Sequence, residues 1–183
     1  MNSLNNNRYW MVFTGSGGQG VITAAIILAE AAVIYENLTA VQSQAYGAAA
    51  RGGTSRSDVV ISKTDALFPE LLQPNVMACL TKESYDKFYH ILRPGGLLLS
   101  DPRYVVLNKK VAVKQIELPI YKTVMDNIGK PIVYNMCMLG TVIGMFKVVR
   151  LESILKVLKE RVPLKFFDIN KQALELGVGL VDG

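Results

Sequence analysis

The residues from Trp10 to Ala25 constrain the chain most: a short apolar run, Trp10 to Thr14, meets a glycine cluster and then a long helical pattern. The order reads strand, tight turn, helix, the opening unit of an α/β fold. Gly15, Gly17 and Gly20 satisfy G-x-G-x-x-G, with Ser16, Gly18 and Gln19 between them. Glycine suits such a turn because it adopts positive φ and lets a helix start approach the strand or a ligand with no Cβ in the way. The amides of Gly17, Gly18, Gln19 and Gly20 are expected to be unpaired and to point out of the helix start, as a cradle for phosphate or carboxylate.

A dinucleotide fingerprint also needs an acidic side chain at the end of the second strand to hold ribose hydroxyls. That strand reads Leu38 to Gln42, and no Asp or Glu follows it. Glu36 has the right spacing but precedes the strand. The chain therefore carries the anion cradle without the ribose contact, and a structural or partner-facing use of the glycines competes with a nucleotide.

At 183 residues and 50% hydrophobic content, the chain is long and apolar enough to build the core of one domain, residues 1–183. The mean hydropathy of +0.26 is high for a freestanding protein and points to apolar surface covered by another chain. The longest apolar stretch, Val21 to Tyr35, is interrupted by Thr23 and Glu30 and is shorter than the roughly 20 residues of a membrane span. With no signal-like segment at the Asn-rich start, the cytoplasm is the expected compartment. Cys79 and Cys137 are far apart and accompanied by one histidine, His90, so neither a zinc site nor an iron–sulfur cluster can be assembled, and buried thiols are expected. The net charge of +5 fits an acidic or phosphorylated partner. Nucleic acid is not expected, since no basic run is interleaved with aromatics. Lys109, Lys110 and Lys114 read as a solvated strand edge.

The first helix, about Gly18 to Tyr35, is polar only at Gln19, Thr23 and Glu30, which fall within about 40° of one another on the helix. It is therefore expected to be covered on its far side as well, by another element or another subunit. A small, flexible stretch, Ser43 to Gly53, then leads into a polar strand, Thr54 to Ser62. Arg56 and Asp58 share a face of that strand and can pair. Arg51, before Gly52 and Gly53, is placed to reach an anion, with a solvated loop arginine as the plain alternative. Further strands are expected at Val76 to Leu80, Leu97 to Ser100 and Val111 to Leu118, and a helix at Glu83 to Leu92. Helices at Ile120 to Ile128, Asn135 to Val148, Leu151 to Arg161 and Asp168 to Leu176 complete the chain. Gly140 and Gly144, four apart, allow close helix packing. The alternation predicts a three-layer α/β/α fold with a Rossmann-like, mixed sheet. The two glycine clusters are expected side by side at the carboxyl ends of neighbouring strands, forming one anion site.

Together, Gly15 to Gly20, Gln44 to Gly47 leading into Arg51 to Ser62, and Leu92 to Leu97 resemble the gamma subunit of 2-oxoacid:ferredoxin oxidoreductases, most closely the 2-oxoglutarate members. Asn135 to Gly140 and the final helix fit as well. One departure is Ala48 and Ala49 after Gly47, where that family commonly carries proline and glutamate. The resemblance implies a complex that converts the oxoacid oxidatively to acyl-CoA and passes electrons to ferredoxin or a similar acceptor. It implies thiamine diphosphate between the alpha and beta subunits, iron–sulfur clusters on beta or delta, and coenzyme A as acyl acceptor. This chain would carry no redox cofactor and no catalytic residue, partner the alpha, beta and delta subunits, and lend Gly15 to Gly20, Arg51, Gly52 and Gly53 to coenzyme A. A freestanding NAD(P)-dependent oxidoreductase and a regulatory nucleotide-binding module are the competing readings.

Overall fold

In a computed structural model, residues 8–46, 53–64, 73–107 and 112–182 are described. Six strands form one sheet: β1 (Arg8–Ser16), β2 (Thr39–Tyr46), β3 (Thr54–Ser62), β4 (Val76–Cys79), β5 (Leu97–Ser100) and β6 (Lys114–Glu117). Six α-helices accompany them: α1 (Val21–Glu36), α2 (Lys82–Phe88), α3 (Ile120–Asn127), α4 (Tyr134–Phe146), α5 (Leu151–Arg161) and α6 (Leu164–Asp182).

The strand order is β2-β3-β1-β4-β5-β6. Strands β1, β4, β5 and β6 run parallel, while β3 is antiparallel to both β1 and β2. The sheet is mixed, as expected, with one departure: β3 lies between β1 and β2. Residues Ser43 to Tyr46, read from their small polar side chains as flexible, extend β2 because they pair with Ser55 to Asp58 of β3. Long-range pairing overrides a weak local preference here.

Strand β1 is buried on both faces, which explains its apolar run without polar alternation. Met11 and Phe13 join the core under α1, α4 and α5, whereas Val12 joins a smaller core with Met77, Tyr85 and Leu98 under α2. Helix α1 packs on β3 and β1 and is flanked by α5 and α4. The cover expected on its far side therefore comes from this chain, and Ala24 and Ile27 are wholly buried. They are internal rather than subunit contacts.

Helix α4 is buried at every residue from Tyr134 to Gly144. It crosses α6 so closely that a Cβ on Gly140 would stand 2.2 Å from the carbonyl oxygen of Leu174, and one on Gly177 would stand 2.0 Å from that of Cys137. Helix α6 runs through Gly177, where a helix end was expected. The glycine is there for contact with α4, not for termination.

Among the described residues no helix is long and apolar enough to cross a membrane, and no group of three or more His, Cys, Asp or Glu side chains is placed to hold a metal ion.

Candidate functional site: a glycine turn at the carboxyl end of the sheet

Four parallel strands end on the same side of the sheet, and the turn from β1 to α1 lies there, where open α/β sheets place ligands. The turn is built largely by its own atoms. Ser16 N donates to the Gln19 side-chain Oε1 at 2.7 Å, and Gln19 N donates back to Ser16 O at 3.2 Å. Gly18 (φ 88°) and Gly20 (φ 75°) both occupy the left-handed region. At Gly20 the demand is double, since a Cβ would also stand 2.4 Å from Asn135 Nδ2. Asn135, the second residue of α4, holds the helix start by donating from Nδ2 to Gly20 O at 3.0 Å.

Of the four amides expected to be unpaired, two are used within the protein. Gln19 closes the turn, and Gly17 N donates to Gly53 O at 2.8 Å. The amides of Gly18, Gly20, Val21, Ile22 and Thr23 find no backbone acceptor among the described residues, while Ala24 N donates to Gly20 O at 3.0 Å. The positive end of the α1 dipole thus keeps two of the four donors that the sequence alone implies.

The bond from Gly17 to Gly53 also joins the two glycine clusters. It is made through β3, whose Thr54 pairs with Ser16, and not through β2 as a neighbour of β1. This arrangement moves β2 away from β1, where a ribose-binding carboxylate would usually follow it, because the antiparallel β3 is inserted between them. Glu36, the acidic residue with the right spacing, lies at the opposite end of α1, where it accepts from Arg150 N at 3.1 Å and Nε at 3.0 Å, and from Ser153 Oγ. Arg51 and Gly52 lie outside the described residues.

Arg56 and Asp58 pair as their shared strand face suggested. Arg56 Nε and Nη2 each stand 2.7 Å from the Asp58 carboxylate, and Trp10 Nε1 donates to it at 2.9 Å. Asp58 is 5% exposed, so this is a buried carboxylate satisfied by two partners. Nearby, Lys87 Nζ of α2 donates to Thr54 Oγ1 at 2.9 Å. No local pattern connects Lys87 with the turn; only the packing of α2 against β1 and β3 brings it there. Asn135 likewise carries no local signal of its contact with Gly20.

Both cysteines are free, buried thiols. Burial pushes Cys79 up to about 12 despite hydrogen bonds from Thr14 and Ser84, and burial with the Asp101 charge pushes Cys137 up to about 12. Asp101, at the end of β5, accepts from Arg103 N at 2.9 Å and from Tyr121 N at 2.6 Å, fixing the start of α3. Beside it, burial raises the Tyr134 phenol, and the Asp101 carboxylate raises it further. Among the described residues the arrangement offers no nucleophile with an adjacent base.

The family model for pyruvate ferredoxin/flavodoxin oxidoreductase matches residues 10–180. A 2-oxoglutarate synthase subunit KorC from Methanocaldococcus jannaschii is 40% identical over 152 residues, spanning 82% of this chain and 81% of that protein. Its counterpart from Methanothermobacter thermautotrophicus is 34% identical over 173 residues, 91% of this chain and 92% of that one. Among solved structures, the gamma subunit of a keto/oxoacid ferredoxin oxidoreductase from Geobacter sulfurreducens superposes with a TM-score of 0.82 at 38% identity, covering 94% of this chain and 95% of that one. A 2-oxoglutarate:ferredoxin oxidoreductase from Magnetococcus marinus, with 2-oxoglutarate, coenzyme A and succinyl-CoA bound, shares the fold with a TM-score of 0.85 at 19% identity, over 96% of this chain and 31% of that longer one.

Proposed function

We propose, from the premise that this chain belongs to the pyruvate ferredoxin/flavodoxin oxidoreductase family and is the gamma subunit of a 2-oxoacid:ferredoxin oxidoreductase complex, that the complex is cytoplasmic, oxidises 2-oxoglutarate and transfers the acyl group to coenzyme A. The observation that carries the substrate is the match of 40% identity to a 2-oxoglutarate synthase subunit over four fifths of both chains. Thiamine diphosphate, on the alpha and beta subunits, would supply the carbanion-stabilising chemistry of decarboxylation, and iron–sulfur clusters on beta or delta would carry electrons to ferredoxin.

The part of this chain is binding. The free amides of Gly18, Gly20, Val21, Ile22 and Thr23 are fixed dipoles at the positive end of α1, suited to the phosphates of coenzyme A. Arg51, ahead of Gly52 and Gly53, would add a forked, permanently charged donor. The bond between Gly17 and Gly53 supports the reading, because it brings the start of β3 against the turn.

Purification of the complex through a tag on this chain, followed by dye reduction with several oxoacids, tests the proposal. Reduction should require both 2-oxoglutarate and coenzyme A, and the chain alone should be inert. Preference for a different oxoacid would refute the substrate, and oxoacid-dependent reduction by the chain alone would refute the division of labour.

A further inference from the structure

The two edges of the sheet are built differently. Strand β6 closes one edge with four residues and carries exposed Lys114 and Glu117 at its ends. A short, charged edge resists pairing with a further strand. Strand β2 closes the other edge with eight residues, Thr39–Tyr46, and has neither a proline nor a charged side chain. It pairs with β3 on its inner side, and among the described residues no strand pairs with its outer side. Every second residue of such a strand turns its N–H and C=O outward, so about four residues offer a ladder that lacks a partner strand.

The side chains along this edge suit a copy of the same strand. Ala40 packs on the core under α1, and alternation puts Gln42 and Gln44 on its face and Val41, Ser43 and Ala45 on the other. In an antiparallel pair made about a two-fold axis normal to the sheet, opposite residues share a face, so the axis passes through a residue and not between two. With the axis at Ser43, Gln42 stands opposite Gln44 and Val41 opposite Ala45, in both directions across the pair. No charges meet, and the apolar pair falls on the face away from α1, where Ser43 and Ala45 are exposed. Further apolar surface adjoins the start of the strand: Val33 and Ile34, in the last turn of α1, are 49% and 58% exposed, and α1 leads into β2 through Asn37 and Leu38. Two-fold pairing is the commonest closed arrangement of like chains, and it covers both copies of the edge at once.

We infer that β2 pairs antiparallel with β2 of a second copy of this chain, with Ser43 on the two-fold axis, so that two sheets join into one. The contact is separate from the ligand proposed for the glycine turn, since β3 lies between β2 and the strand that leads into that turn.

Thiol cross-linking of the intact complex with a short bis-maleimide tests the inference, with Ser43→Cys in this chain. Cys79 and Cys137 are buried, so the introduced thiol is the accessible one of this chain. Under denaturing conditions the variant should run at twice the chain mass of 20.1 kDa. Thr39→Cys should not, because its two copies would stand roughly 26 Å apart along the paired strands. Absence of the Ser43→Cys cross-link in the assembled complex overturns the inference, as does equal cross-linking at both positions, which would mean unspecific association. Cross-linking of Ser43→Cys to a different subunit overturns it as well and assigns the edge to that subunit.

Discussion

Glycine serves the crossing of α4 with α6 and the turn between β1 and α1 in opposite ways. At the crossing, Gly140, Gly144 and Gly177 let two helices touch, and an added Cβ on any of them would stand 2.0 to 2.5 Å from its nearest neighbour. At Gly18 an added Cβ would meet no atom of the described residues within 4 Å. The crossing uses the missing side chain to bring two helices into contact, and so does Gly20 against Asn135, while Gly18 serves the left-handed backbone of the turn with the space beside its Cα left open. A glycine count cannot tell these uses apart. What separates them is whether the space beside the Cα is filled by the chain itself.

The largest effect should follow from filling the crossing. Gly177→Ala pushes a methyl group into the Cys137 carbonyl, and overpacking of this kind costs about 3 kcal/mol or more, partly because backbone on both sides must shift. For a chain of this size that is a fall in Tm of about 6 to 12 °C. Thermal unfolding of the variant checks it, and a shift under 2 °C would mean that the helices separate freely.

Gly20→Ala should come next, at about 2 kcal/mol, from a left-handed residue carrying a Cβ and a displaced Asn135 amide. The position borders both regions, because Asn135 starts the buried helix and Gly20 ends the open turn. Combining Gly20→Ala with Asn135→Ala sharpens the point. Urea unfolding should show the double variant losing less than the sum of the two single losses, since the smaller side chain removes the clash. Strict additivity would show that the strain is purely backbone.

The same contrast explains what could be read before the structure was known. Strand β5 and helix α5 were legible to the residue, because an unbroken apolar run or a clean amphipathic period is written in the local sequence, and β3 was legible in its bounds although its polar half, Thr54 to Asp58, gives no sign of its burial. The turn was legible as well, since a glycine cluster between an apolar strand and a helical pattern reads as strand, tight turn and helix. The occupation of two of its amides was not, because Gly53 is 36 positions from Gly17 and reaches it only through β3. The end of α6 was misread for a related reason: a glycine late in a helix looks like a stop until α4 is packed against it. Lys87 was invisible, as nothing within its own helix marks it apart from any solvated lysine. Non-local pairing and packing supplied what local pattern could not.

The smallest effect concerns the far end of α1. Burial tends to raise the Glu36 carboxyl, but hydrogen bonds from Ser153 and Arg150, with the Arg150 charge, outweigh it and hold the pKa below the ordinary value. A carboxylate lowered by folding stabilises the fold above its ordinary pKa, and the contribution is lost as pH falls through the lowered one. Glu36→Gln should therefore lower the urea midpoint slightly at pH 7, with the gap to wild type closing in acid below the ordinary carboxylate range. A gap independent of pH would show that the side chain acts through shape alone, and the tied end of α1 would then resemble the packed crossing more than an electrostatic clamp.

The most direct measurement is the affinity of the intact complex for coenzyme A with Gly18→Ala in this chain. The methyl group meets no atom of the described residues, so the fold should lose only about 1 kcal/mol, the cost of a left-handed alanine. It would stand in the space left for the ligand and distort the amides that face it. The account predicts a rise of about 10-fold in the coenzyme A dissociation constant, equivalent to the loss of one good hydrogen bond, with kcat at saturation and the oxoacid KM unchanged. An unchanged dissociation constant, in a complex that assembles normally, would contradict the account and leave the turn as a scaffold element like the glycines of the helix crossing.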